Sequence, residues 1–265
     1  MIKRIAFLIV LLTVMISCSK ITMMPCCKDV KVRNTLGIEM VGIPAGEFLM
    51  GSNLIDDEKP IHKVYLDKFY ISSAEVTMAQ YKKFIDETNY KKPLFIDKED
   101  VKDYPVICVT YDNAMAFCDW LSKKTGKKYR LPTEAEWEKS VRGGLEGKLY
   151  PWGDEKPDTS RLNFNRDWDG IKSLTPVKSY PANGYGLYDV AGNVWEWCLD
   201  YYDKDYYKES PNKNPDCKKA NQENTRVLRG GGWGPYPEDV RCSKRNYYAQ
   251  NQSNGSIGFR IVREK

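Results

Sequence analysis

One histidine and eight cysteines are the side chains of this 265-residue chain best suited to nucleophilic or metal chemistry. A single histidine, His62, cannot build an iron site that needs two histidines and a carboxylate, or three histidines. No serine or cysteine motif supplies a nucleophile for His62, and a lone histidine is more often a hydrogen-bonded structural residue. The histidine count therefore disfavours iron chemistry and histidine-assisted nucleophilic catalysis.

The cysteines lack the short paired spacings that bind zinc. Cys18 belongs to the leader segment described below, and the other seven are Cys26, Cys27, Cys108, Cys118, Cys198, Cys217 and Cys242. In an exported protein such cysteines form disulfides or remain as buried thiols, and the sequence leaves both the choice and the pairing open.

Three segments have the signals of helices that would position these residues. A first helix is predicted from Thr77, because apolar residues recur after it at helical spacing. A second is predicted in residues 111–126, with Asp112 as its N-cap. Thr133 and Glu136 have the spacing of a capping box, so a third helix is predicted to begin at Thr133.

Short strands are predicted on both sides of these helices. Residues 40–50, "MVGIPAGEFLM", alternate apolar and small residues around Pro44, as paired short strands do, and residues 62–72 continue the strand character. Beyond Gly143 the chain is rich in Gly, Pro, Asn, Asp and Tyr, which indicates loops and short strands. The expected fold class is α+β, loop-rich and low in regular secondary structure.

The composition indicates a globular protein that does not bind nucleic acid. Hydrophobic residues make up 42% and charged residues 29% of the chain, which is ordinary for a packed domain. The length suffices for one large domain. The net charge of +5 is spread over both signs without a long basic run, so nucleic-acid binding is excluded from the functions considered.

The N-terminus has the features of an export signal. Lys3 and Arg4 precede an apolar run, residues 5–16, which is too short to span a bilayer but suits a signal peptide. The run ends in a sequence that resembles a bacterial lipobox, with Cys18 as the lipid-modified residue; ordinary cleavage near Ser17 is the alternative. We therefore expect a signal peptide (1–17), a lipidated tether (18–37) and a domain (38–265) on a lipoprotein exposed at the bacterial envelope, touching the membrane only through its anchor.

Seven motifs in fixed order resemble those of the formylglycine-generating enzyme family, also called the sulfatase-modifying factor domain. The resemblance covers residues 38–263 and implies a variant of the C-type lectin fold. The motifs are "MVGIPAGEFLMGS", "EKPIHKVYLDKFYISSAEVT", "YRLPTEAEWE", "YPWGD", "NGYGLYDVAGNVWEW", "RVLRGGGW" and "IGFRIV". The family contains oxidases as well as members without known catalysis, so the site residues must decide the function.

The oxidases of this family hold copper with two cysteines just after the RGG motif, because soft thiolates favour Cu(I). In this chain the interval from Gly231 to Arg241 contains no cysteine, and Cys242 stands where the family tends to place a structural cysteine. The resemblance therefore implies neither copper nor iron here. An oxidase-like or accessory protein of the envelope remains the alternative function.

The resemblance also implies two structural calcium sites. Calcium binds six to eight hard oxygens in flexible geometry, which loops of this kind supply. Carried over by motif position, the ligands of the first site are Asn163, the Phe164 carbonyl, Asp169 and the Ile171 carbonyl. Those of the second are Asp189, the Gly192 and Val194 carbonyls, and Glu196. The alternative is that these carboxylates only cap turns.

The C-terminal region, residues 229–257, has the composition of a binding surface. Fifteen of the 28 residues 229–256 are Gly, Asn, Tyr, Ser or Asp, as in antibody paratopes, where aromatic side chains give contact area and small polar ones adapt. We predict that it binds a macromolecular ligand, a protein, without chemistry. The predicted contact residues are Trp233, Gly234, Tyr236, Asp239, Ser243, Asn246, Tyr247, Tyr248, Asn251, Ser253, Asn254 and Ser256.

This layout also resembles the variable proteins of diversity-generating retroelements, which share the lectin-type fold and vary at the C-terminus. Adenine mutation in their template turns Asn codons into codons for Tyr, Ser, Gly or Asp. Residues reachable in this way are Gly234, Tyr236, Asp239, Ser243, Tyr247, Tyr248, Ser253, Gly255 and Ser256. Surface loops are polar in any case, so an invariant tail remains the alternative.

Overall fold

A computed structural model describes residues 32–265. The predicted signal peptide, the lipidation site Cys18, and the cysteines Cys26 and Cys27 lie outside the described residues. Within residues 32–265, no helix combines the length and the apolar character needed to cross a bilayer.

Three α-helices in the described residues begin where the sequence predicts them: α1 (Met78–Thr88), α2 (Tyr111–Thr125) and α3 (Glu134–Arg142). Each is preceded by a threonine whose hydroxyl accepts the N3 backbone N–H in a complete capping box. The prediction of Asp112 as N-cap of α2 is wrong, because Thr110 and Asn113 cap each other reciprocally and Asp112 lies in the first turn.

Eleven short strands of the described chain form three sheets. The strands are β1 (Val32–Arg33), β2 (Glu39–Ile43), β3 (Gly46–Met50), β4 (His62–Leu66), β5 (Phe69–Ser72), β6 (Tyr129–Arg130), β7 (Trp195–Tyr201), β8 (Thr225–Arg229), β9 (Asn246–Ala249), β10 (Ile257–Gly258) and β11 (Val262–Arg263). Their orders are β1-β2-β5-β11-β6, β10-β7-β8-β9 and β3-β4. The α+β fold class is confirmed, and after Arg142 the described chain contains no α-helix.

The strands on either side of Pro44 exist but do not pair with each other. β2 pairs with β5, whereas β3 pairs with β4, so the chain leaves one sheet and enters another between Ile43 and Gly46. Pro44 lacks a backbone N–H and Gly46 has a φ of +145°, which together permit this change of direction.

The domain begins earlier than the predicted boundary at residue 38. Val32 and Arg33 pair antiparallel with Met40 and Glu39, and Leu36 is buried in the core. A segment that adds a strand and an apolar side chain to the domain is part of it, so at most residues 18–31 remain as the predicted tether.

Aromatic side chains from all parts of the fold fill the core. Phe117 of α2 packs edge-on against Phe259, while Trp137 of α3 and Trp197 of β7 are fully buried. Trp195 of β7 is also buried. The C-terminal region contributes β9 to the sheet β10-β7-β8-β9, and strands β8 and β10 stand at the two ends of that region in the chain.

Candidate ligand-binding face

The base of the C-terminal region is fixed by a fully buried arginine at the end of β8. Arg229 donates hydrogen bonds to the carboxylates of Glu134 and Glu138 on α3. It also donates to the carbonyls of Ser243 (3.0 Å) and Cys242 (2.8 Å). Buried charges are stable only when they are paired and hydrogen-bonded. Arg229 therefore ties the backbone of Cys242 and Ser243 to helix α3.

Two further buried arginines, Arg241 and Arg245, also fix the base of the C-terminal region. Arg241 forms a bidentate ion pair with Glu58, at 2.8 and 2.6 Å. Arg245 forms another with Glu134, at 2.8 and 3.0 Å, and donates to the carbonyl of Asp57. Bidentate arginine pairs fix orientation as well as position. These arginines are scaffold and do not contact the solvent.

Two tryptophans lie side by side where the region leaves the sheet. The rings of Trp233 and Trp168 are 5.2 Å apart and tilted by 31°. The backbone joins their loops, since Asn165 and Arg166 donate their N–H groups to the carbonyls of Gly234 and Trp233, both at 2.9 Å. Trp233 is half-buried, whereas 48% of the surface of Trp168 is exposed.

Two of the predicted contact tyrosines are exposed. Tyr236 is 59% and Tyr247 46% exposed. Tyr247 stacks on Tyr202 with ring centroids 4.2 Å apart, and the Tyr202 hydroxyl donates to Asp57 at 2.8 Å. Tyr247 is thus held from behind with its other face in solvent, which suits a rigid aromatic contact.

Tyr248 does not share this surface with Tyr247. Both lie in β9, where successive side chains point to opposite faces of the sheet. Tyr248 is half-buried against the core, with its ring 6.5 Å from that of Trp197. Tyr247 and Tyr248, which are both in the predicted contact set, therefore do not lie on one face.

Ser243 is buried and must be removed from the predicted contact set. It is 3% exposed, its hydroxyl accepts a hydrogen bond from Arg241, and its carbonyl accepts one from Arg229. Asp239 is half-buried, with a carboxylate oxygen 3.5 Å from Lys244. These residues belong to the base of the region.

The remaining predicted contact residues keep at least part of their surface in solvent. Asn251 and Ser253 are exposed, whereas Gly234, Asn246, Asn254 and Ser256 are half-buried. The side chain of Asn254 forms a local turn by accepting from both the N–H and the hydroxyl of Ser256, at 2.8 Å each. Asn254 therefore shapes the backbone as well as lying near the surface.

Trp168 is the exposed residue that the sequence prediction missed. It lies far from the C-terminal region in the chain, in "NRDWDG", a stretch interpreted only as a calcium loop. A tryptophan between two aspartates in a stretch without apolar periodicity is a signal for exposure. That signal alone does not reveal that the ring meets Trp233.

The five cysteine thiols within residues 32–265 are buried, except that of Cys108, which is half-buried. The five described cysteines are free, and burial raises the pKa of each thiol, to about 11 for Cys217 and about 12 for Cys242. The thiolate is the nucleophilic form, so a raised pKa makes these thiols poor nucleophiles at neutral pH. His62 meets the carbonyl of Pro60 at 2.9 Å and packs against Tyr207.

The residues of the first predicted calcium site do not fit a cation. The side-chain oxygen of Asn163 accepts a hydrogen bond from the guanidinium of Arg166 at 2.6 Å. The carboxylate of Asp169 is 75% exposed beside Lys172, and the Ile171 carbonyl accepts the Leu174 N–H. Phe164 is buried. The positively charged side chain of Arg166 therefore already binds the Asn163 oxygen that would coordinate a calcium ion.

The second predicted site fits a cation only in part. One oxygen of Asp189 is buried without a hydrogen-bond partner, and burial raises the pKa of this carboxyl to about 6. Gly192 and Val194 lie in the adjoining buried backbone. Glu196, however, accepts from Arg260 with both oxygens and from Trp137 at 2.8 Å. Both carboxylate oxygens of Glu196 are therefore already bound by donors of the protein.

Metal-binding clusters built only from ionisable side chains are absent from the described part of the chain. No group of three or more His, Cys, Asp or Glu residues in positions 32–265 is arranged to hold a metal ion. Any cation in this part of the protein would therefore depend on hydroxyl, amide or carbonyl oxygens as well as on carboxylates.

Comparison with protein families gives a match that includes all of the described residues. Residues 28–265 match the model of the sulfatase-modifying factor enzyme 1-like domain. The formylglycine-generating enzyme of Streptomyces coelicolor is 32% identical, over 88% of this chain and 90% of that enzyme. The inactive C-alpha-formylglycine-generating enzyme 2 of Bos taurus is 28% identical, over 85% and 88%. Active and inactive relatives thus resemble the chain to similar extents.

A relative with a longer chain also matches. The serine/threonine-protein kinase pkn1 of Chlamydia caviae is 36% identical over 85% of this chain, but the chain spans only 38% of that protein. Among solved structures, PvdO from Pseudomonas aeruginosa superimposes with a TM-score of 0.79 at 31% identity, covering 89% and 98% of the two chains. Treponema denticola variable protein 1, at 24% identity and a TM-score of 0.72 over 89% and 99%, shares the fold.

Proposed function

This chain belongs to the sulfatase-modifying factor enzyme 1-like domain family, and we propose that it is a non-enzymatic, surface-displayed lipoprotein whose C-terminal region binds a protein ligand. The binding residues are the exposed ones of the predicted set together with Trp168. We call the pair Trp168 and Trp233, together with Tyr236 three residues further along the chain, the tryptophan face, and Tyr247 with Tyr202 the tyrosine stack.

The observation that carries this proposal is the contrast between the base of the region and its surface. Three buried arginines bind the base through charged hydrogen bonds, whereas Trp168, Tyr236 and Tyr247 expose about half of their surface or more. Aromatic side chains offer a large contact area, and rigid ones lose little entropy on binding. A fixed backbone with exposed aromatic rings is therefore suited to recognition.

The chemistry of the thiols supports a role without catalysis. The copper oxidase reaction of the family requires two cysteines after the RGG motif, and this chain has none between Gly231 and Arg241. Cys242, the next cysteine, is 1% exposed and has a raised pKa. The alternative, an oxidase-like envelope protein, requires stoichiometric binding of Cu(I) or Fe(II). Titration of the purified chain with each metal tests it, and tight one-to-one binding of either would favour the alternative.

The binding role is tested by comparing variants of the full-length mature protein. Surface proteins from cells of the same habitat are captured by the wild type, identified, and then used singly in affinity measurements. We expect Tyr236→Ala combined with Trp168→Ala to weaken the identified complex at least tenfold with an unchanged melting temperature. Tyr65→Ala, which removes an exposed tyrosine of β4, is the matched control. Equal affinity of all variants would contradict the proposal.

Diversification of the C-terminal region by a retroelement is part of the proposal. It predicts a reverse-transcriptase gene near this one and an adenine-rich copy of the codons for residues 229–260. It also predicts that related strains differ at Tyr236 and Tyr247 but not at Arg229, Arg241 or Arg245, because the arginines hold the backbone. A genome that lacks both sequence features would remove diversification and leave the binding role.

Attachment through Cys18 is the proposed route to the cell surface. The mature protein should fractionate with the envelope and be cleaved by protease added to intact cells. Cys18→Ser should release the protein from the membrane fraction without changing its fold, because residue 18 precedes the described domain. Retention of the Cys18→Ser variant in the membrane would contradict lipid anchoring.

A further inference from the structure

Strand β9 is an outer strand of the sheet β10-β7-β8-β9 and lies within the C-terminal region. Among the described strands it pairs only with β8, antiparallel, so its other edge faces away from the sheet. The outer strand of a sheet carries a row of backbone N–H and C=O groups with which a further strand can pair. Proteins often block such an edge with proline or lysine, and the four residues of β9 include neither.

The hydrogen bonds around β8 and β9 show which groups of β9 lie at the free edge. Gln250 donates its backbone N–H to Asn224 at 3.1 Å, which continues the ladder between the two strands. The carbonyl of Thr225, which lies opposite Ala249, accepts a hydrogen bond from the chain that continues β7. Inward and outward groups alternate along an antiparallel strand. The backbone N–H and C=O groups of Tyr247 and Ala249 are therefore directed outward, away from β8.

Two of these outward groups already have a partner. The Tyr247 N–H donates to the side-chain oxygen of Asn246 at 2.8 Å, at the exposed surface. The Ala249 carbonyl accepts the N–H of Gln252 at 3.0 Å. The Tyr247 carbonyl and the Ala249 N–H have no hydrogen-bond partner within residues 32–265. A carbonyl and an N–H two residues apart on one edge are the groups that an added strand binds, in either direction.

An open groove lies beside this edge. It has a volume of about 550 Å³ and is lined by both rings of the tyrosine stack, Tyr202 and Tyr247, together with Lys204, Asn221 and Glu223. Charges of both signs and an amide around aromatic rings suit a polar side chain. In strand addition the backbone bonds give affinity, and pockets for alternate side chains give specificity. The edge and the groove thus provide both parts of a site for an extended peptide.

We propose that the protein ligand pairs an extended segment with the free edge of β9, and that a polar side chain of this segment enters the groove beside Tyr247. The inference rests on the proposed binding function, because it specifies how the C-terminal region holds its ligand. The segment donates to the Tyr247 carbonyl and accepts from the Ala249 N–H. It also competes with the side chain of Asn246 for the Tyr247 N–H. All of these bonds use backbone atoms of β9, so they persist when its side chains change.

Selection from a library of random linear peptides on phage, with the immobilised full-length mature protein as bait, supplies the probe. The best peptide is then synthesised with one backbone amide N-methylated at a time, and each affinity is measured by calorimetry. We expect N-methylation to weaken binding about tenfold at every second position of the paired segment. The positions between should respond little, because only alternate N–H groups of a strand face its neighbour.

Variants of β9 test the same bonds from the other side. Ala249→Pro removes the outward N–H, and proline is tolerated in an edge strand where its position faces solvent. This variant should bind the selected peptide about tenfold more weakly. Asn246→Ala should bind it about threefold more tightly, because the competing acceptor is gone. Lys91→Pro, with a proline in the exposed loop after α1, is the control and should bind as the wild type does.

Two results would overturn strand pairing. The first is equal affinity of all N-methylated peptides, which needs no variant of the protein and is independent of folding. The second is wild-type affinity of Ala249→Pro, once near-ultraviolet circular dichroism shows that it is folded. A selection that yields no peptide would also overturn it. The binding function is decided separately: loss of the identified ligand in Trp168→Ala with Tyr236→Ala, but not in Ala249→Pro, would retain the function and reject pairing with β9.

Discussion

Trp168 packs against the backbone of Gly255 so closely that a methyl group on that Cα would lie 2.8 Å from Cζ2 and 3.0 Å from Cζ3 of the indole. The two residues come from separate loops, and Trp168 is also tilted over Trp233. The orientation of the most exposed tryptophan of the tryptophan face therefore depends on the absence of a side chain at position 255.

Gly255→Ala is expected to displace the ring of Trp168. Forcing a methyl group into a filled space costs about 1–3 kcal/mol, and the half-exposed ring of Trp168 can relieve part of this cost by moving. The near-ultraviolet circular dichroism of the tryptophans should change, and affinity for an identified ligand should fall. Gly234→Ala is the matched control, because a methyl group there meets only one atom, at 4.0 Å. Identical tryptophan spectra for Gly255→Ala and the wild type would contradict this packing.

The three tyrosines of the C-terminal region should separate in a stability measurement. Tyr236→Ala removes an exposed ring and should cost less than about 0.5 kcal/mol. Tyr247→Ala loses its stack on Tyr202 and should cost about 1 kcal/mol. Tyr248→Ala removes a half-buried ring from the core and should cost about 1–2 kcal/mol. Urea denaturation gives the three values, and equal losses would contradict the opposite orientations of Tyr247 and Tyr248.

Local rules predict helices and strands well here but predict the contacts between loops poorly. The caps at Thr77 and Thr133 follow from spacing alone, because both partners of a capping box lie within four residues. At α2 the predicted cap, Asp112, lies two residues from the actual cap, Thr110, which is identified by its reciprocal bonds with Asn113. The first residue of a helix is therefore harder to predict from the sequence than the presence of the helix.

Only part of the candidate site was predicted, because several of its contacts join residues that are far apart in the chain. The composition of residues 229–256 indicates the exposed tyrosine Tyr236, but the burial of Ser243 depends on Arg241 and Arg229, which bind partners far away in the chain. The contact of Trp168 with Trp233 is likewise long-range. Nothing in a single sequence specifies which glutamate binds which arginine, so base and surface residues of the region could not be separated beforehand.

Replacing Arg229 should destabilise the whole domain. Arg229→Met leaves Glu134 and Glu138 without one of their partners in the interior, and breaking a buried ion pair costs about 3–5 kcal/mol. Arg161→Met removes a partly exposed arginine paired with Asp158 and should cost less than about 1 kcal/mol. Guanidinium denaturation of both variants provides the comparison, and similar losses would refute the structural role of the buried network.

Asp200 should make the folded protein less stable as the pH rises. Burial raises the pKa of this carboxyl from 3.8 to about 8, so between these values the folded state binds more protons than the unfolded state. The contribution of the protonated Asp200 carboxyl to the free energy of unfolding is complete below pH 4 and is lost as the pH rises through about 8. The free energy of unfolding of Asp200→Asn should therefore change less between pH 4 and 8 than that of the wild type. An unchanged slope would show that Asp200 is ionised in the fold.

The buried arginines also determine how this domain could be used as a binding reagent. Because Arg229, Arg241 and Arg245 hold the backbone through carbonyls and glutamates, its path depends mainly on buried contacts and little on the solvent-facing side chains at Tyr236 and Tyr247. A combinatorial library randomised at such positions would keep one loop conformation while sampling many chemistries. Variants selected from such a library would then differ mainly in their contacts with the target and little in their ability to fold.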